Sequence, residues 1–300
     1  MGGYFGGRLA VAGEEVTFIA RGKHLQALRG EGLRVDSVDG DFAVHPVSAT
    51  DRPADVGPVE AVLVAVKTWQ LLEAAAAARP LVGAETVVLP LLNGVEAASR
   101  LSETLGREHV LGGLCRIIAE KMGPGHIRHH GAEPYVALGE LDNRRSERAE
   151  RLRSAFAGAG VRVEIPDDIH VALWEKFLLI ASVSGVGAVT RAPVGVLRSL
   201  PETRALLTQA MSEILAVARA RGVDLAAESV DRALDFIDGL PPEGTASMQR
   251  DIVEGRPSEL EAQNGAVVRL GREAGVETPV HAFLYSSLLP MERAARGEAP

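Results

Sequence analysis

The chain has 300 residues, 32 basic against 40 acidic side chains for a formal net charge of −8, and a single cysteine. That length exceeds what one core usually serves, so two domains are expected, and the acidic balance argues against nucleic acid as the main partner. Cys115 alone excludes an internal disulfide framework and fits a reducing compartment. With no charged-then-apolar leader and no apolar run of membrane-spanning length, the expected location is the cytoplasm, without a membrane partner.

In chain order, the first half alternates strand-like and helix-like segments. Glu15 to Ala20, Glu60 to Val66 and Glu85 to Leu91 are short apolar runs bounded by turn residues. Separated by helical patterns, such runs predict a parallel α/β sheet. After His126 a strand pair is expected, HIRHH and then YVALGEL, followed by a helix over Glu147 to Ala157 and a closing strand over Val161 to Ile165. Beyond Asp167 the strand signals stop. Ile169 to Val183 and Pro201 to Arg221 read as helices, the second with Pro at its start and Gly222 after its end. Further helices are expected over Ala226 to Ile237 and Glu259 to Ala274. The fold class expected is therefore α/β: a Rossmann-type dinucleotide-binding domain over residues 1–166, followed by an all-helical domain over residues 167–300.

The opening, Met1-Gly2-Gly3-Tyr4-Phe5-Gly6-Gly7-Arg8, is glycine-rich. In a dinucleotide fold a strand enters a glycine-rich turn, and the helix that leaves it aims its first amides at the pyrophosphate. The helix and the following strand are present in the sequence. The entering strand and the first two glycines of that pattern are not, and the expectation is that about ten residues added upstream would improve both stability and cofactor binding. A flexible glycine-rich tail is the plain alternative. At the end of the second strand, where NAD-specific folds usually carry an acid, stand Arg21 and Lys23. A guanidinium and an ammonium there suit a 2′-phosphate and favour NADPH over NADH.

Four further segments complete a pattern: Lys67 in VAVKTWQ, Asn93 in LPLLNGVE, Lys176 in LWEKFLL, and ASMQRDIVEGRPSELEAQNG from Ala246 to Gly265. In order and spacing, and with the opening glycines, they resemble the ketopantoate reductase family over almost the whole chain, with Gly2 at the third glycine of its fingerprint. The resemblance implies NADPH-dependent reduction of a 2-oxoacid, with 2-dehydropantoate as the substrate and pantoate as the product, in pantothenate synthesis. It also implies that Lys176 is the general acid and that Glu259 holds the substrate hydroxyl, helping to orient Lys176 or the cofactor.

Each of these residues also has an ordinary reading. Lys176, in an apolar helix, is either a snorkelling lysine paired with Glu175 or an ammonium whose pKa falls far enough to protonate an alkoxide. Glu259 is either a helix-terminal acid or a substrate ligand, and Ser247 either a cap hydroxyl or a donor to the substrate carboxylate. Asn93 follows the third strand, where ligands bind in open sheets; its amide bridges cofactor and substrate, or it is simply the left-handed turn residue before Gly94. Lys67, also at a strand's carboxyl end, is placed to approach the nicotinamide ribose or the substrate.

Three departures bear on specificity. Where the family has asparagines, this chain has Ile180, Ser184 and Val194, and Ile180 points to a larger or more apolar substrate or to a rearranged set of contacts. A related reductase for another branched or aromatic 2-oxoacid is therefore the second reading, and a non-catalytic dinucleotide-binding protein the third. His126, His129 and His130 lack further ligands at metal spacing, so no metal is expected. Large helical second domains often pair, which makes a homodimer an open expectation.

Overall fold

The computed structural model describes residues 1–298. They divide into two compact units, residues 1–92 with 96–169, and residues 93–95 with 170 onward. The first unit contains, in order, α1 (Gly2–Val11), β1 (Thr17–Ile19), α2 (Gly22–Gly30), β2 (Leu33–Ser37), β3 (Phe42–Val44), β4 (Ser48–Thr50), β5 (Ala61–Val64), α3 (Leu71–Ala78), β6 (Val87–Pro90), α4 (Ala97–Leu105), β7 (Leu111–Gly123), β8 (His126–Glu140), α5 (Glu147–Gly158) and β9 (Arg162–Glu164).

Strand β1 pairs in parallel with β4, and β5 in parallel with β6. The rest form a mixed sheet, β3-β2-β8-β7 with β9 beside β8. The expected parallel sheet thus holds only in part: β2–β3 and β7–β8 are antiparallel. Nor is there a strand pair after His126. The whole stretch is one strand, and its antiparallel partner is Leu111–Gly123, which the sequence pattern did not reveal. Pro124 and Gly125 (φ 69°) make the tight turn between them, and a connection of two residues permits only antiparallel pairing.

Apolar layers lie on both sides of the strands. Val87 and Leu89 of β6 pack with Tyr4 and Phe5 of α1 and Phe156 of α5, whereas Val88 packs with Leu71 of α3 and Leu101 of α4. Successive strand residues point to opposite faces, so one strand serves two cores. This is the doubly wound arrangement of a Rossmann-type domain.

The glycine-rich opening is a helix rather than a flexible tail. Tyr4 and Phe5 are fully buried. A Cβ added at Gly3 would fall 2.3 Å from Ile127 Cδ1, one at Gly6 2.8 Å from the Phe18 ring, and one at Gly7 2.8 Å from Leu33 Cδ2. These glycines let α1 lie directly on β1, β2 and β8.

The second unit is helical: α6 (Ile169–Thr190), α7 (Val194–Ser199), α8 (Pro201–Ala220), α9 (Ser229–Asp238), α10 (Ser247–Val253), a π-helical turn (Glu261–Gly265), α11 (Ala266–Ala274) and α12 (Pro279–Arg296). Its core gathers Phe177, Leu178, Met211, Ile214, Val217, Leu270 and Leu284. Helix α6 runs past the expected end at Val183. Contrary to the expectation from sequence, it is long and apolar enough to cross a membrane by length and composition, but most of it is buried in this core.

Candidate functional site

Asn93 groups with the helical unit, and there it joins two residues that are far from it in sequence. Lys176 Nζ donates to Asn93 Oδ1 at 3.0 Å, and Asn93 Nδ2 donates to Glu259 Oε2 at 2.8 Å. One amide therefore faces an ammonium with its acceptor and a carboxylate with its donor, the only orientation that satisfies both. Glu259 is buried and Lys176 half-buried.

Local structure explains each position. Asn93 is not a left-handed turn residue; Gly94 takes that conformation (φ 89°), and a Cβ there would lie 3.0 Å from the Ala262 carbonyl. Glu175, the ordinary partner expected for Lys176, turns instead to Arg232, whose Nη2 donates to Glu175 Oε1 at 2.6 Å. Glu259 does not open a regular α-helix. It precedes the π-helical turn, with its carbonyl accepting from the Gln263 amide at 3.0 Å.

The loop carrying Glu259 is fastened by residues that sequence reasoning missed. Buried Glu292 accepts from the Ser258 amide at 3.0 and 3.1 Å and from the Ser258 hydroxyl. Arg296 Nε donates to Glu292 at 2.6 Å, and its Nη2 donates to the Ser258 carbonyl at 3.0 Å. The i,i+4 spacing of Glu292 and Arg296 was the one local signal. Ser247 is the first residue of α10 and is exposed. Of the three departures, Ile180 is half-buried one turn after Lys176, while Ser184 and Val194 are buried.

The remaining candidates lie in the first unit. Gly2 opens α1; a Cβ there would meet only Ala65 Cβ, at 3.4 Å, an ordinary contact. Nothing in the protein therefore demands glycine at this position, unlike at Gly3, Gly6 and Gly7. Lys67 stands just past the carboxyl end of β5, half-buried, with its ammonium 5.6 Å from the centre of the Trp69 ring. Arg21 precedes α2 in extended conformation, and Lys23 is exposed in that helix's first turn. The Arg21 guanidinium is paired with Glu73 of α3, whose hydrogen bond and charge push its pKa up. The exposed start of α2 with Arg21 and Lys23, and Lys67 beyond the carboxyl end of β5, fit the phosphates of a dinucleotide, with the half-buried Gly2 at the start of α1. His126 is hydrogen-bonded to Asp36 and His129 to Ser37. Among the described residues no group of three or more His, Cys, Asp or Glu is placed to hold a metal.

The family model of ketopantoate reductase PanE/ApbA matches residues 1–143, and that of its C-terminal domain matches residues 168–292. This chain belongs to the ketopantoate reductase family. A 2-dehydropantoate 2-reductase of Nostoc sp. is 31% identical over 96% of this chain and 91% of its own length. The crystal structure of a PanE/ApbA family ketopantoate reductase from Ralstonia eutropha JMP134 is 34% identical, with a TM-score of 0.88 over 97% of this chain and 95% of that one. A D-mandelate dehydrogenase bound to NADH and anilino(oxo)acetate, 22% identical with a TM-score of 0.90 over 99% of this chain and 96% of its own, shares the fold.

Proposed function

We propose that this protein reduces a 2-oxoacid with NADPH, and that the substrate is 2-dehydropantoate, giving pantoate for pantothenate synthesis. The observation that carries the reading is the hydrogen-bonded series Lys176–Asn93–Glu259. Reduction of a keto carbon leaves negative charge on its oxygen, so a proton donor and a positive charge are needed there. Lys176 offers both. Glu259, held by Asn93 and by the fastened Ser258 loop, accepts from the hydroxyl group of the substrate and, through Asn93, orients the ammonium. When bound, the dinucleotide supplies the hydride; Gly2, Arg21, Lys23 and Lys67 are the residues that would hold it, with Arg21 and Lys23 at the 2′-phosphate.

A second reading keeps the chemistry and changes the acid. Ile180, one helical turn from Lys176, puts a branched apolar side chain where the family pattern has an amide, which favours a bulkier or aromatic 2-oxoacid. Fold leaves that choice open. Comparing kcat/KM for 2-dehydropantoate with that for a panel of branched and aromatic 2-oxoacids, by NADPH oxidation, separates the two.

Replacing Lys176 by Ala tests both readings at once. It should lower kcat about 10²- to 10⁴-fold, the range of a general acid, while leaving NADPH binding nearly intact. A folded variant with wild-type kcat overturns the proposal.

A further inference from the structure

We infer that Glu73 sets the balance between NADPH and NADH, an inference that rests on the reading that Arg21 takes the 2′-phosphate. Arg21 is the guanidinium that a 2′-phosphate would use, and in this structure it is held by the Glu73 carboxylate. Neither side chain is locked by burial: they are 63% and 61% exposed. Asp51 adds a weaker, purely coulombic pull on the same guanidinium.

The two cofactors would meet this arrangement differently. A ribose with a free 2′-hydroxyl leaves the Arg21–Glu73 pair intact and offers Glu73 a hydroxyl donor, the role an acid usually fills in NAD-specific folds. A 2′-phosphate brings up to two negative charges beside Glu73, and must share Arg21 or take it from Glu73. Guanidinium has donors enough to share, so NADPH is accepted, but against repulsion. Glu73 thus moderates a preference that Arg21 alone would make strong, and the chain is expected to bind both cofactors rather than to discriminate steeply. The two residues are 52 positions apart, Arg21 at the start of α2 and Glu73 within α3, so nothing in the local pattern around Arg21 announces its partner.

The test is calorimetric titration of NADPH and NADH into wild type, Glu73→Gln and Arg21→Ala. Glutamine keeps the size and removes the charge. In Glu73→Gln the NADPH dissociation constant should fall about three- to tenfold, the range of one exposed charge contact plus relief of repulsion. The NADH constant should stay the same or rise. Arg21→Ala should weaken NADPH about ten- to a hundredfold and NADH little. If Arg21→Ala discriminates as stated but Glu73→Gln leaves NADPH unchanged, or shifts both cofactors equally, the role of Glu73 is refuted and that of Arg21 stands. If Arg21→Ala weakens both cofactors alike, Arg21 is not at the 2′-phosphate and both statements fall.

Discussion

Replacing Asn93 by Ala removes both of its bonds at once, and the structure says how unequally that is felt. The bond from its amide to Glu259 serves a buried carboxylate, where water does not replace the donor; the bond from Lys176 serves a half-buried ammonium that water can reach. A hydrogen bond to a charged group is worth about 1.5–3 kcal/mol, so the loss should be about 2–3 kcal/mol, nearly all from the Glu259 side. For a unit of this size that corresponds to a fall of roughly 8–12 °C in the unfolding midpoint, read by far-ultraviolet circular dichroism. Activity should fall about a hundredfold, because misplacing a reacting group by an ångström has that effect. Asn93→Asp separates the two bonds: it keeps an acceptor for Lys176 and removes the donor to Glu259, so if the Glu259 bond carries the loss, this variant should not regain wild-type stability. An Asn93→Ala protein melting within about 2 °C of wild type, with wild-type kcat, would refute the bridge.

Two further outcomes follow from features outside the site. Gly3→Ala with Gly7→Ala would normally gain helix propensity, about 1 kcal/mol each, but should here destabilise by about 1–3 kcal/mol in urea unfolding, because both methyls enter packed strands; a double variant as stable as wild type would show that the contacts yield freely. Glu213 caps the start of α12 by accepting from the Val280 and His281 amides at 2.7 and 3.0 Å, and lies 2.9 Å from His281 Nδ1. Burial works to raise its pKa, but the hydrogen bonds from His281 and the two amides together hold it below the ordinary carboxylate value. Its contribution is thus present at neutral pH and lost as pH falls through that lowered value, so Glu213→Gln should flatten the acid limb of the Tm–pH curve; an unchanged limb would refute the assignment.

The class of fold was legible because it rests on periodicity, and periodicity fails where elements are short or where both faces are alike. Strands β3 and β4 have three residues each, too few to show alternation. Strand β7 begins buried on both faces, and where its exposure does alternate, from Arg116 to Glu120, the exposed places include apolar Ile118, so its hydropathy does not alternate. In α6 the apolar pattern breaks at Ser182, Ser184, Gly185 and Gly187, which read as an end. The structure shows these glycines serving a different purpose. A Cβ at Gly185 would lie 2.5 Å from Asn264 Nδ2, and one at Gly187 2.5 Å from Gln249 Oε1. Small residues there admit side chains from elsewhere in the unit, and the helix continues. The candidate site was legible only as residue types in order. Asn93 lies 83 residues from Lys176 and 166 from Glu259, and no local pattern spans such distances. What the sequence could not suggest was the competition for charged partners: Glu175 turned to Arg232, and Arg21 to Glu73.

The fastening of the Ser258 loop by α12 has a consequence for how the protein is made. Glu292 and Arg296 lie in the last turns of the last described helix, so they leave the ribosome after every residue they hold in place. Residues 1–92 and 96–169 can be collapsing while the rest is still being synthesised, since domains tend to fold as units from the N-terminal side. Glu259 has no such head start. Its loop gains the Glu292 and Arg296 contacts only once α12 is complete, after residues 1–92 and 96–169 have had time to collapse.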